Sequence, residues 1–376
     1  MKNIETIIIG GGIAGLACAK RLDEAKKDFL LISEDIGGRI LTSDDGNVNY
    51  GAYFVCEDYN HFLQHVFLGR RIRLSKFLFH KKSRNYLLFS LRSLIYLPQF
   101  VRLIFLLRKF RKHFYVFRKK SETISQKQAL EEDDYLLQLF KTKVEDFIKK
   151  HQLEELTRNI IAQSLNACTF SPISDMNAFN YLQFSLPLIV PFYEFRFKKD
   201  SMIARFKNKI IIDCVIKIEK EKNNYIVCTK TATYKTKNVV LATQIETSRK
   251  LIKIKEKINK PVDAHMFHVK GKPNFKIKKG EFQMFDPNMD TLAISRQLDG
   301  TYLYYSKKQK PNFREFFTEA SVIEHKFWKP VGNINGHSLI EANVDDNLYL
   351  IGDYNVVGLE DAFITGIYAA NKIVEK

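Results

Sequence analysis

Short apolar runs mark both ends of the chain, and apolar residues at helical spacing fill much of the middle. Thr6-Ile7-Ile8-Ile9 is a β-branched run that reads as a buried strand of a parallel sheet. Gly10-Gly11-Gly12-Ile13-Ala14-Gly15 follows, then Leu16, Ala17, Ala19 and Leu22 at helical spacing, then a second strand at Phe29-Leu30-Leu31-Ile32. Far downstream, Leu348-Tyr349-Leu350-Ile351 predicts another short buried strand, ending in Gly352-Asp353. Gly358 then opens a helix through Phe363, Ile367, Ala370 and Ile373. Between these ends, Ile210–Ile218 and Tyr225–Thr229 alternate like a hairpin with Asn223-Asn224 as its turn, and Lys237–Thr243 returns to a buried strand.

Strand, glycine turn, helix and strand form the context in which a G-x-G-x-x-G pattern carries meaning. Gly10 permits the tight turn, Gly12 lets backbone approach a pyrophosphate, and Gly15 lets helix and strand pack closely. The free amides that open this helix, at Ile13 and Ala14, then face the phosphates together with the helix dipole. A ribose-binding acid belongs at the end of the second strand, where Ser33-Glu34-Asp35 stands. By strict spacing Ser33 takes the position; Glu34, one residue later, carries the carboxylate and is the candidate.

Ile36-Gly37-Gly38-Arg39-Ile40 comes directly afterwards, and here the sequence resembles the flavin-dependent amine oxidase superfamily, which includes protoporphyrinogen oxidases and carotenoid desaturases. The resemblance implies that Gly37, Gly38 and Arg39 lie near the phosphates of FAD. It implies that Gly51 and Ala52 form the next flavin-contacting turn, with Asn49 in place of the usual acid. Val215 falls where the family presents backbone to the adenine, and Gln244 replaces a proline usual after Ala-Thr. Asp353, after Gly352, takes the ribityl role, and the Asp361–Ala362 backbone takes the ring contact. Trp328-Lys329-Pro330 with Gly336-His337 resembles a segment of the protoporphyrinogen-oxidase-like and desaturase-like members. The loop from Glu34 to Gly37 is shorter than the family's usual one.

The implied fold class is α/β: a Rossmann-type FAD-binding domain assembled from discontinuous segments, plus an inserted mixed α+β substrate domain. The first comprises residues 1–56, 200–245 and 335–376; the second comprises 57–199 and 246–334. A length of 376 residues suits two such units.

Composition adds a second theme. The net charge is +18, and no acidic residue lies between Asp58 and Glu122, where Arg and Lys recur. Residues 60–120 therefore read as a basic amphipathic helical region, with Phe100, Leu103, Ile104, Leu107, Phe110 and Phe114 at helical spacing. Arg92, Arg102 and Arg108 interrupt the apolar runs, so none reaches the roughly 18–20 residues of a spanning helix. Such a region suits an anionic membrane surface; a solvated helical cap is the alternative, and no groove-reading motif points to nucleic acid. The five cysteines are scattered without a C-x-x-C pair, which suits a reducing cytoplasm, and no secretory signal is read at the N-terminus. No metal site is expected. The acids at 131–134 suit a helix start, and His265 and His268 fall in a strand-like segment.

The expected activity is FAD-dependent dehydrogenation of a lipophilic small molecule, protoporphyrinogen-like or polyprenoid-like, by hydride transfer to flavin N5. An amine oxidase is the alternative, and a non-catalytic flavin-binding interaction protein is the third reading. With no cysteine after Cys228, the C-terminal cysteine link of some amine oxidases is ruled out and FAD is expected non-covalently. Oxygen or a membrane quinone is the expected acceptor. The expected location is the cytoplasm, peripherally on the inner face of the membrane.

Overall fold

The computed structural model describes residues 2–81, 84–257, 261–277, 280–332 and 338–376. Its first sheet is built from β1 (Lys2–Gly11), β2 (Phe29–Ile36), β3 (Ile210–Ile212), β4 (Val215–Glu221), β5 (Asn224–Thr229), β6 (Thr233–Leu241), β7 (Asn343–Asp345) and β8 (Leu348–Leu350). The parallel core runs β8-β6-β1-β2-β3, so strands from both ends and the middle of the chain lie side by side. Two helices lie on this sheet: α1 (Ile13–Glu24) follows β1, and α2 (Leu359–Val374) ends the chain.

Sequence explains the layering. Ile7, Ile8 and Ile9 alternate between two apolar clusters: Ile8 packs with α1 and α2, and Ile7 and Ile9 pack under the β4–β5 hairpin. A strand buried on both faces needs a continuous apolar run. Helices α1 and α2 touch closely because Gly366 has no side chain: a Cβ there would stand 2.2 Å from the Ala14 carbonyl oxygen.

The hairpin expected from Ile210–Ile218 is corrected in one respect. Ile210–Ile212 is a separate parallel strand beside β2, and the chain breaks at Asp213-Cys214 before β4 begins. The Asp213 amide donates to the Ser33 carbonyl (3.1 Å) and its carboxylate accepts from the Cys214 amide and the Thr231 hydroxyl. A local side-chain bond of this kind ends a strand that apolar periodicity alone would carry on. The turn then falls at Lys222-Asn223, with Lys222 at φ +53°.

A second sheet of seven strands occupies the other half, ordered Phe317–Gly332, Val262–Pro273, Tyr302–Ser306, Thr291–Arg296, Phe282–Phe285, Phe77–Lys81 and Arg84–Leu87. A helical layer covers it, led by the 24-residue basic helix Leu97–Lys120. Its Leu103, Leu107, Phe110, Phe114 and Phe117 are buried against Phe179 and its neighbours. The basic region is therefore helical only in its second half. Val66–Arg71, Phe77–Lys81 and Arg84–Leu87 are strands, formed where aromatic residues gain cross-strand partners. Among the described residues, no helix is long and apolar enough to cross a membrane.

Candidate cofactor site

The glycine turn after β1 is held by contacts that exclude side chains. A Cβ on Gly10 would stand 2.6 Å from the Ala242 oxygen, and one on Gly15 would stand 2.0 Å from the Gly10 oxygen. Gly12 differs: nothing lies within 4 Å of where its Cβ would be. Gly12 is also the N-cap of α1, with no side-chain cap and no acid in the first turn. The amides of Ile13 and Ala14 thus begin a helix whose positive end borders open space.

The next turn folds onto the first. Gly37 donates its amide to the Gly11 oxygen (2.9 Å), and a Cβ on Gly38 would lie 3.1 Å from the Gly12 Cα. Gly38 sits at φ +57°, a conformation glycine adopts without strain. Arg39 follows and reaches across the site: its Nη2 donates to Asp353 Oδ1 (2.6 Å) and its Nη1 to the Val331 oxygen (3.0 Å). Burial works against this guanidinium's charge, but Asp353 outweighs it and holds the arginine above its ordinary value. Ala52 donates to the Arg39 oxygen (2.9 Å), and a Cβ on Gly51 would fall 2.1 Å from that oxygen. The ring of Trp328 closes over the same glycine, 3.4 Å from that Cβ position, and its buried Nε1 has no partner in the protein. Gly336 and His337 lie outside the described residues.

At the strand ends, Ser33 is already engaged: its hydroxyl accepts from the Gly11 amide (2.9 Å) and donates to the Asp35 oxygen (2.7 Å). That leaves Glu34 as the candidate carboxylate. It is exposed, 3.8 Å from Lys230 Nζ and close enough to Cys214 to raise that thiol, where burial comes first and Glu34 adds to it. Val215 follows Cys214 at the start of β4, so acid and backbone share one corner. Asn49 is buried and its Nδ2 donates to the Phe195 oxygen, leaving Oδ1 unpartnered.

On the C-terminal side, Gly352 donates its amide to Thr365 Oγ1 (3.0 Å), tying the strand end to α2. The Tyr354 ring lies against Gly352, 3.3 Å from where a Cβ would stand, and donates its hydroxyl to the Thr243 oxygen. The ring contact is expected from the Asp361–Ala362 backbone. The Ala362 amide already donates to the Gly358 oxygen (2.9 Å), so the amides ahead of the first helical bond are those of Leu359, Glu360 and Asp361. The Asp361 carboxylate is bound from the other side by Arg118, Nε to Oδ1 and Nη2 to Oδ2, both 2.9 Å. Glu360, fully buried, accepts three amides, from Asn60, His61 and Phe62.

Arg118 and Glu360 were not singled out from sequence. A signal existed for the first: Phe110, Phe114 and Arg118 are spaced by four, which puts a cation on the apolar stripe of its helix.

The residues present fit a dinucleotide whose phosphates meet α1 and whose far end lies beside Asp353 and Gly51. The open side of Gly12, the uncapped helix, the exposed Glu34 and the orphaned Trp328 Nε1 are the observations behind that fit. Among the described residues, no group of three or more His, Cys, Asp or Glu could hold a metal.

Comparison with known proteins agrees with this architecture. The family model of the NAD(P)-binding Rossmann-like domain matches residues 8–67. Wild-type putrescine oxidase bound to putrescine superposes at a TM-score of 0.69 with 10% identity, over 100% of this chain and 99% of that one. Cyclohexylamine oxidase from Brevibacterium oxydans IH-35A gives 0.65 with 12% identity, over 99% and 98%. A candidate protoporphyrinogen oxidase from Exiguobacterium sp. 255-15 gives 0.64 with 12% identity, over 100% and 99%. No curated protein matches by sequence. The chain therefore shares its overall fold with these oxidases, over 99–100% of its length.

Proposed function

We propose that this protein is an FAD-dependent oxidoreductase that dehydrogenates a lipophilic small molecule. The observation that carries the reading is the meeting of Arg39 and Asp353, 314 residues apart in sequence, at 2.6 Å beside the Gly12 and Gly51 turns. Bound FAD supplies the electron-accepting ring; the protein's work is to bind, orient and exclude water. In this reading the α1 amides and Arg39 hold the phosphates, Glu34 the ribose, Val215 backbone the adenine and Asp353 the ribityl hydroxyls. The fold's neighbours include putrescine and cyclohexylamine oxidases and a candidate protoporphyrinogen oxidase, so fold alone leaves the substrate open.

Two features bear on the substrate. Tyr354, the one aromatic of the last loop, has its hydroxyl committed to Thr243, and an amine cage would need a second aromatic that this loop does not supply. The helix Ala162–Thr169 and its surroundings hold buried polar atoms without protein partners: Gln163 Nε2, Asn166 Nδ2, Ser171 Oγ and, on the next helix, Gln183 Oε1. Gln183 is tied to the last loop through the Val357 oxygen (2.6 Å). Buried polar atoms left unmatched cost stability, so a substrate that reached them would gain by bringing hydrogen-bonding groups. A protoporphyrinogen-like tetrapyrrole suits them better than a hydrocarbon polyene.

The same substrate class suits a membrane surface. Leu91 and Ile95 are 86% and 70% exposed, and Phe89, Leu94, Leu97 and Phe105 are exposed beside them in sequence. Exposed Arg102, Arg108, Lys109, Arg111 and Lys112 lie along the same helix. Apolar side chains flanked by cations are the pattern of an interfacial helix on an anionic bilayer. Phe89 also lines a cavity of about 510 Å³ with Arg71, Arg73 and residues 187–192.

Anaerobic bleaching of the flavin absorbance tests the reading. Reduced tetrapyrroles in detergent should bleach it; bleaching by amines alone would move the chain to the amine oxidase branch. Binding to phosphatidylserine vesicles should fall at least tenfold in an L91S/I95S variant. Equal binding by both proteins would remove the bilayer from the proposal.

A further inference from the structure

We propose that the buried Arg118–Asp361 ion pair is a positioning device for the cofactor's redox end, pinning the start of α2 and cancelling a charge that opposes flavin reduction. The proposal rests on the FAD reading, which places the ring's N1/C2=O edge at the N-terminus of α2.

The geometry is closed around Asp361. The guanidinium of Arg118 meets both carboxylate oxygens at 2.9 Å, a fork-to-fork contact. Both side chains are buried, at 7% and 1% exposure. Gln126 Nε2 donates to the Asp361 backbone oxygen at 3.2 Å. The carboxylate is folded over the N-cap: a Cβ on Gly358 would stand 2.8 Å from Asp361 Oδ2. The anion at this helix end is therefore the protein's own.

Such an anion poses an electrostatic problem. Hydride arrival adds two electrons and one proton to the ring, leaving one negative charge to be carried at the N1/C2=O edge. A bare carboxylate in a buried first turn would repel that charge in a medium of low dielectric. Arg118 supplies the compensating cation. Its own charge is opposed by burial but sustained by Asp361, with Asp58 3.9 Å away and the rings of Phe114 and Tyr59 at 4.3 and 5.3 Å.

The cation also comes from a distant element. Arg118 lies in the last turn of the basic helix, whose first turns carry the exposed Leu97, Val101 and Phe105. The pair is thus a direct link between that surface and the helix expected at the ring.

The test is an equilibrium redox titration of the FAD-loaded protein. D361N removes the anion and leaves an arginine that stays charged at any working pH. It should raise the ratio of reduced to oxidised flavin at a fixed poise at least tenfold, about 30 mV for a two-electron couple. R118M/D361N removes both charges and should return the ratio to within about threefold of wild type. R118K keeps the charge but loses the fork, and should melt lower with an unmoved ratio. A purely structural role would weaken folding or FAD retention without a shift that follows the sign of the charge. FAD-loaded D361N with an unchanged or lowered ratio overturns the proposal and leaves the FAD reading intact. So does a double variant that shifts as far as D361N. Wild-type protein that takes up no FAD overturns both.

Discussion

Two helix N-termini face the proposed cofactor, and they are prepared in opposite ways. The start of α1 has a glycine cap, no acid in its first turn and free space beside Gly12. The start of α2 also has a glycine cap, but Glu360 and Asp361 occupy its first turn and both are fully engaged. A helix end without its own anion is electrostatically unsatisfied and suits a ligand with permanent negative charge, such as a pyrophosphate. A helix end that already holds a neutralised pair offers only its remaining amides. That arrangement suits a ring whose charge changes during reaction, because the Arg118–Asp361 pair itself adds no net charge beside it.

The largest effect expected from breaking this contrast is at α2. Arg118→Met leaves Asp361 buried without its cation, and losing one member of a buried pair costs about 3–5 kcal/mol. Thermal melting of the variant should show a loss of that size. Adding D361N should recover much of it, because a neutral amide has no uncompensated charge. A single variant that melts like wild type would mean the pair is not closed in solution and would erase the difference between the two helix ends.

How much of this was legible follows from which interactions are local. The α1 end is written in consecutive residues: β-branched strand, three glycines, helix, strand. Gly10 and Gly15 have steric reasons that spacing reveals, as the 2.0 Å approach at Gly15 shows, and Gly12 leaves its side open. The outline of α2 was equally readable from Leu348 to Ile373. Its partners were not, because Arg118 lies 243 residues before Asp361 and Glu360 binds amides about 300 residues earlier. Apolar periodicity marks which face of a helix is buried, not which polar residue on that face is paired. The same limit explains the split of Ile210–Ile218: a β-branched run predicts strand, and only the Asp213 contacts show where one strand stops. Strands within residues 66–87 escaped for a related reason, since their partners are brought in from residues 192–197 and 282–285.

At α1, the next largest effect separates fold from binding. Gly12 has φ −74° and ψ 178°, a conformation any residue adopts, and an added Cβ meets nothing. Gly12→Ala should therefore leave the apo protein's melting temperature nearly unchanged. The methyl group would project into the space a pyrophosphate should enter, so FAD affinity should drop about tenfold or more, equivalent to ~1.4 kcal/mol. Titration of the apo protein with FAD, beside a melt of the apo form, reads both quantities. An apo protein destabilised with unchanged affinity would show that the open side of Gly12 is not a ligand surface.

The smallest effect concerns Glu34, an exposed carboxylate at the α1 corner whose neighbours are Lys230 and the Cys214 thiol. Ser33 cannot serve a ribose while its hydroxyl is engaged between Gly11 and Asp35, so the hydrogen bonds expected of this strand end fall to Glu34. Its exposed contact with Lys230, at 3.8 Å, contributes little to folding, so Glu34→Gln should shift stability by no more than about 0.5 kcal/mol. An amide oxygen can still accept a ribose hydroxyl, but without the charge-assisted part of the bond. The expected loss is about 1 kcal/mol in FAD affinity, roughly fivefold. Glu34→Ala, which removes the acceptor altogether, should lose more than Glu34→Gln. Ser33→Ala should act differently, lowering stability through the lost Gly11 contact rather than affinity through the ribose. If instead Ser33→Ala weakens FAD while Glu34→Ala does not, the strict spacing identifies the ribose contact and Glu34 is a surface acid.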